Sequence, residues 1–310
     1  MNCKSANIST KLMQYLLLLV FFIEFQYGLN AQLILNSNCE AFTDQAYFNP
    51  EFIKRNKIKS IHGKTSSKKV NDIIRDQDLI QNFDFDTQGR VIKQMYSHHS
   101  FGYRTDTTTI IFIYDSLGRL KTRRQNDNFS FYSYNYVYDS VGNVVKETYC
   151  RDENCGPSKY DFKLGNQYEI ISETYKYKTE NGKKVRIYFN NFGREYQKKE
   201  FEYSPKNYLM NERMIYTLTD RLTSEIKYEY NEQGFCISKY ESPIDGPKLV
   251  YAYDYDKKGN LLEYNYFLDE VHITHKELIY DNSTMLITAT LSKDVRTDVI
   301  TIVRLTYDFY

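Results

Sequence analysis

Several groups of residues in this chain have the types a chemical site would use, and their spacing decides what each one is. The adjacent carboxylates Asp152 and Glu153 are of the kind that cleaves glycosides, but that reaction needs two carboxyls across a cleft. Neighbours in a polar loop read as solvated acids. His98-His99 and His272-Ile273-Thr274-His275 lack Cys or carboxylate partners at metal-ligand spacing, and strand residues three apart face opposite ways. Asp84 to Gly89 begins like a calcium loop, yet Met95 stands where the bidentate Glu belongs. Gly63-Lys64-Thr65 resembles the tail of a phosphate loop, but Ile58 occupies the position that needs Gly. No Gly-x-Ser-x-Gly elbow and no His-Glu-x-x-His occurs. The expectation is a non-enzymatic protein with no cofactor and no metal.

Tyrosine is the compositional outlier, at 31 of 310 residues, beside 19 Phe and no Trp. Most of this fits packing on strands, where aromatics bury large area at low entropy cost. One stretch, Tyr132-Ser133-Tyr134-Asn135-Tyr136-Val137-Tyr138, puts its tyrosines on one strand face by the period-two rule. Tyr132, Tyr134 and Tyr136 are therefore the candidate stacking platform for a ligand, a glycan or protein partner outside the cytoplasm. Nucleic acid is not expected, because 41 basic and 40 acidic residues alternate in sign instead of clustering. Among cysteines, Cys150 and Cys155 flank polar turn-forming residues and are expected to form a disulfide. Counting alone also allows Cys39–Cys236, although Cys236 sits at an apolar repeat position that suits a buried thiol.

The element that must position these groups is a repeat. Tyr114-Asp115-Ser116-Leu117-Gly118-Arg119-Leu120 recurs around Asp86 and Gly89, Asp139 and Gly142, Asn231 and Gly234, and Asp256 and Gly259. Asp favours the first position of a type I turn, and a left-handed Gly after it makes a three-residue hairpin loop with a bulge. That register faces Tyr114 with Leu120, Phe85 with Val91, Tyr138 with Val144 and Tyr255 with Leu261. Gly118 to Gly142 spans 24 residues and Gly234 to Gly259 spans 25, a period that signals stacked units. Weaker copies begin at Tyr203 and Tyr280. Between Thr148 and Glu202 the phase is lost: Gly142 to Asn207 is 65 residues, and the copy at Phe189 carries Glu195 where an apolar residue belongs.

These units resemble the YD repeats of the RHS (rearrangement hot spot) proteins, over roughly residues 80 to 290. The resemblance implies β-hairpin stacking in an extracellular or envelope protein. Long family members close into a shell around a toxin cargo, whereas this array is short and has no following autoproteolytic core motif. The fold expectation is all-β: stacked antiparallel hairpins forming an elongated array or open solenoid.

The remaining chain completes this reading. Residues 1–31 read as a secretory signal, with Lys4 and Lys11 before nine apolar residues, Tyr15 to Ile23, and Ala31 at a cleavage point. After its removal no transmembrane helix is expected. Residues 32–80 are expected to cap the first strand edge, 81–290 to form the repeats, and 291–310 to end in a strand or cap. The functional expectation is a secreted, periplasmic or outer-envelope protein acting as a binding or structural surface. Three alternatives are a carbohydrate-binding module using exposed Tyr, an outer-membrane β-barrel, and a remnant or carrier part of an RHS-type toxin system.

Overall fold

In the computed structural model, residues 32–43, 47–99, 105–127 and 129–310 are described. The expected signal segment lies outside them. Among the described residues one short helix, α1 (Pro50–Arg55), is followed by strands only. In order these are β1 (Ile58–Lys69), β2 (Arg75–Phe85), β3 (Val91–His99), β4 (Thr105–Tyr114), β5 (Leu120–Asn126) and β6 (Phe131–Tyr138). Next come β7 (Val144–Asn154), β8 (Leu164–Glu180), β9 (Lys183–Phe189), β10 (Glu195–Tyr203), β11 (Leu209–Tyr216) and β12 (Arg221–Tyr230). The last six are β13 (Cys236–Pro243), β14 (Leu249–Tyr255), β15 (Leu261–Leu268), β16 (Val271–Tyr280), β17 (Ile287–Asp294) and β18 (Val299–Phe309).

Each strand pairs antiparallel with the next, and β18 returns to pair with β1 from Ile58↔Phe309 to Lys69↔Val299. The result is a closed barrel of 18 strands. This overturns the open solenoid. An open array leaves two unpaired edges that need covering, and here each edge satisfies the other's backbone groups. The segment expected to cap an edge instead supplies β1 itself, with a turn and the start of β2 after it. The hairpin register derived from the repeats is present: Phe85↔Val91, Tyr114↔Leu120, Tyr138↔Val144 and Tyr255↔Leu261, each beside a bulge.

Residues 32–43 and 47–57 lie inside the ring. Their side chains reach β2 and β13 to β16 at once, which a short segment can do only from the lumen. Phe48 meets Phe83 at 4.7 Å, Phe42 meets Tyr264 at 5.8 Å, and Tyr253 Oη donates to the carbonyl of Cys39 at 3.0 Å. Leu33, Ile34, Ala41, Phe52 and Ile53 are buried there against inward residues such as Ile61, Phe85 and Leu278. Helix α1 starts where Asn49 accepts the amide of Glu51 and Pro50 presets the first turn, with Lys54 and Arg55 at its C-terminal end.

A disulfide, Cys39–Cys236, staples this plug to the wall. The expected Cys150–Cys155 bond is absent and both thiols are free. Strand β7 runs through Asn154, so five residues of extended chain separate the two cysteines by about 16 Å. A disulfide tolerates at most about 7 Å between Cα atoms. The true loop is 155–163, and it folds over the end of the wall, where Phe162 stacks on the outward Phe131 at 4.7 Å and Lys159 reaches Asp106, on the inward face of β4, at 2.6 Å. With 197 residues between its ends, the Cys39–Cys236 link removes about 5 kcal/mol of unfolded-chain entropy on a loop-closure account.

The plug also explains one glycine beyond its turn. A Cβ on Gly89 would lie 2.0 Å from the Pro50 carbonyl oxygen, whereas one on Gly142 meets nothing within 4 Å; their φ values are +81° and +98°. Gly142→Ala is expected to cost about 1 kcal/mol from left-handed backbone alone. Gly89→Ala is expected to cost roughly 1–3 kcal/mol more, because plug backbone must move. Chemical unfolding of the two variants checks the difference, and equal costs would place the plug elsewhere.

Candidate functional site

The repeats build a rim. In each turn the Asp or Asn side chain accepts two amides, as Asp115 Oδ1 does from Leu117 at 3.0 Å and Arg119 at 2.9 Å. Asp86, Asp139, Asn231 and Asp256 do the same. Gly89, Gly118, Gly142, Gly234 and Gly259 all take positive φ. The tyrosine opening a repeat then crosses to the preceding hairpin. Tyr138 Oη donates to the Leu120 carbonyl at 2.7 Å, Tyr255 to Cys236 at 2.7 Å, and Tyr280 to Leu261 at 2.9 Å. After Gly89, Gly118 and Gly234 the next residue covers the next tyrosine: Arg90 sits 4.6 Å from the Tyr114 ring, Arg119 4.7 Å from Tyr138, and Phe235 5.1 Å from Tyr255. These turns all sit at one end of the barrel, because consecutive copies are two antiparallel strands apart. The copy at Phe189 falls between β9 and β10 and therefore sits at the opposite end.

Inward positions can be followed strand to strand from the plug. Phe83 faces Gln94, then Ile110, Gln125, Tyr132 and Arg151. Tyr132, Tyr134 and Tyr136 thus line the lumen. Tyr134 lies 5.2 Å from Tyr149 and 6.4 Å from Tyr132, which makes an aromatic wall beside Arg123. The wall continues through Glu147 and Glu173, which face each other, to Tyr175 and Tyr188 at 5.0 Å. Arg186 is enclosed by the rings of Tyr175, Tyr177, Tyr188 and Phe201 at 5.3 to 5.9 Å.

Sequence reading reached Tyr132, Tyr134 and Tyr136 but not Tyr149, Glu173, Tyr175, Arg186, Tyr188, Tyr196 or Tyr216. The alternation Tyr175-Lys176-Tyr177 carried a signal, but the lost phase hid which face was inward. Of the other groups, Asp152 is a structural acid on the outer wall, bound to Arg124 Nε at 2.6 Å and Gln167 Nε2 at 2.6 Å. His275 pairs with Glu277 and Asn265, and His62 with Asp308. Among the described residues no cluster of three His, Cys, Asp or Glu is arranged for a metal.

The outer wall is ionic over β10 to β12. Glu200, Arg213 and Glu225 face one another in a row, flanked by Lys198 and Lys227 at 3.7 and 3.1 Å from their carboxylates. No described helix is long and apolar enough to cross a membrane.

Comparison with family models finds no match, and comparison with curated proteins finds none. The chain is similar in shape to a porin-like protein from Bacteroides uniformis, with 10% identity and a TM-score of 0.38 over 82% of this chain and 97% of that one. A porin-like protein from Bacteroides vulgatus gives 10% and 0.29 over 70% and 98%. A TcdB2–TccC3–Cdc42 complex gives 14% and 0.30, over 72% of this chain but 12% of that one. At these values the likenesses carry no functional argument. The closed ring itself fits the outer-membrane β-barrel reading better than the open array.

Acid should loosen the rim. Asp281, in the turn after β16, is held down at about 2 from 3.8, first by the Ser283 hydroxyl and then by the Thr284 amide and hydroxyl. A depressed carboxylate stabilises the fold above its unfolded pKa and loses that contribution as pH falls through the folded one. Asp281→Asn is expected to melt below the parent protein above about pH 4, with the gap closing by about pH 2. Thermal melts across that range check it; a gap independent of pH would contradict it.

Proposed function

We propose that the protein is a non-enzymatic β-barrel of the bacterial envelope whose lumen is its binding surface. The observation that carries this is an aromatic lumen wall, Tyr132, Tyr134 and Tyr149, in a ring that holds its own N-terminal segment as a plug. Rings on a lumen wall, edged by Arg and Glu, suit a glycan: they stack on its apolar faces while the polar groups take its hydroxyls. The envelope location is supported by the Cys39–Cys236 bond, which belongs to an oxidising compartment, and by the leader-like residues 1–31. The shared turn chemistry supports kinship with YD repeats, bent into a single ring.

The ionic row on β10 to β12 limits how such a barrel sits. A lipid-facing wall carries an apolar band about 25 Å tall, and a charge at its middle costs about 2–4 kcal/mol. That stretch of wall faces water or a protein partner.

The test is a glycan array probed with the chain from Gln32 onward, beside the Tyr132/Tyr134/Tyr136→Ala variant. Specific binding that the variant loses is the expected result. Binding that the variant keeps, or no binding by a folded protein, would overturn the lumen-wall reading.

A further inference from the structure

The end of the barrel away from the repeat rim has a recess with different chemistry from the tyrosine wall. It is a shallow, open recess of about 500 Å³ lined by Glu173, Asn191, Phe192, Tyr196 and Tyr216 among others. Glu173 and Tyr216 are inward residues of β8 and β11, placed by the same strand-to-strand register that defines the lumen. Phe192 comes from the repeat copy that faces this end, which gives that copy a use: its turn, capped by Asn190, presents an almost fully exposed ring (86%) at the mouth. The Glu173 carboxylate is fixed in place. One oxygen accepts the Tyr196 hydroxyl and the other the Tyr175 hydroxyl at 3.1 Å.

The charge balance of the recess is the deciding feature. Glu173 is the one formal charge lining the recess, and no Lys, Arg or His among the described residues lies within 4.0 Å of its carboxylate. Glu147, which faces Glu173 on β7, adds a second carboxylate with no such pair, whereas elsewhere in the barrel Glu212 has Lys199 at 2.7 Å and Glu241 has Lys239 at 2.6 Å. A preset carboxylate without a cation, ringed by three aromatic side chains, attracts a positive organic group through both charge and ring quadrupole. A hydroxyl-rich neutral ligand would use the rings but not the unpaired charge.

We propose that this recess binds an organic ammonium group, quaternary or primary, with Glu173 opposite the charge and Phe192, Tyr196 and Tyr216 around it. It rests on the reading of the lumen as a binding surface and gives that lumen a second, cationic subsite. The ammonium could arrive on a free small molecule or on a lipid headgroup, and the two sources share this chemistry.

Calorimetric titration of the chain from Gln32 onward with choline, and with its neutral isostere 3,3-dimethylbutan-1-ol, tests the assignment. Choline is expected to bind at least about tenfold more tightly than the isostere. Glu173→Gln, which keeps an acceptor for the tyrosines, should abolish that selectivity. Phe192→Ala, a change at an exposed turn that leaves the fold intact, should weaken choline several-fold. Equal affinity for the two probes, unchanged binding in Glu173→Gln, or no choline binding by the folded parent would overturn the proposal. Sedimentation with phosphatidylcholine vesicles separates the sources: Glu173-dependent pelleting means a headgroup, and choline binding without pelleting means a soluble ligand. The Tyr132/Tyr134/Tyr136→Ala variant should keep its choline binding, so failure of the glycan wall and failure of this subsite read out separately.

Discussion

A tyrosine hydroxyl that reaches from one hairpin to a backbone carbonyl of the hairpin before it is the contact on which the rest of this structure depends. It recurs from Tyr114 to Val91, Tyr177 to Val144, Tyr230 to Leu209 and Tyr307 to Ile287, at 2.7 to 3.0 Å. At the closing seam Tyr310 reaches the other way, to the Phe85 carbonyl of the following hairpin at 2.6 Å. Each bond is worth only about 1 kcal/mol net. Their value is directional, because from Tyr114 round to Tyr307 each ties its hairpin to the one before it. The same tie repeated around the wall leads to the seam where β18 pairs with β1. The Asp-held turn sets where the tyrosine starts, and the residue after Gly covers its ring.

Closure creates an interior too wide for wall side chains alone to fill. The protein meets part of this with residues 32–43 and 47–57, whose apolar side chains give the rim end a core, and the disulfide fixes them there. Around β5 to β11 the lumen keeps Tyr, Arg and Glu instead, which pair with one another across strands. The same wall therefore serves as a core on one side of the barrel and as a polar, aromatic surface on the other. Both ligand assignments lie on the second side.

The hairpins were legible in the sequence because a turn is local: Asp115, Gly118 and the pair Tyr114–Leu120 specify a register without any distant contact. Ring closure was not legible, since the pairing of Lys64 with Arg304 joins residues 240 positions apart and no short motif encodes it. The lost phase after Gly142 has a plain cause. The missing turn at the rim is Asn181-Gly182, displaced by the 155–163 loop and by the 17 residues of β8, and the copy at Phe189 belongs to the other end. That is why Tyr132, Tyr134 and Tyr136 could be placed on one face from alternation, while Glu173, Tyr196 and Tyr216 could not. The Cys150–Cys155 pairing was illegible for a related reason: the polar residues between the two cysteines look like a hairpin tip, yet β7 runs through them to Asn154.

Closure itself is the claim to test first. Lys64 and Arg304 face each other on the outer side of β1 and β18. In a variant with Cys150 and Cys155 replaced by Ser, Lys64→Cys and Arg304→Cys would be treated with a short bis-maleimide and analysed by mass spectrometry. The closed barrel predicts efficient cross-linking within a single chain at low protein concentration. An open array would hold the two strands about 80 Å apart, and the absence of an intramolecular cross-link in the folded protein would contradict the ring.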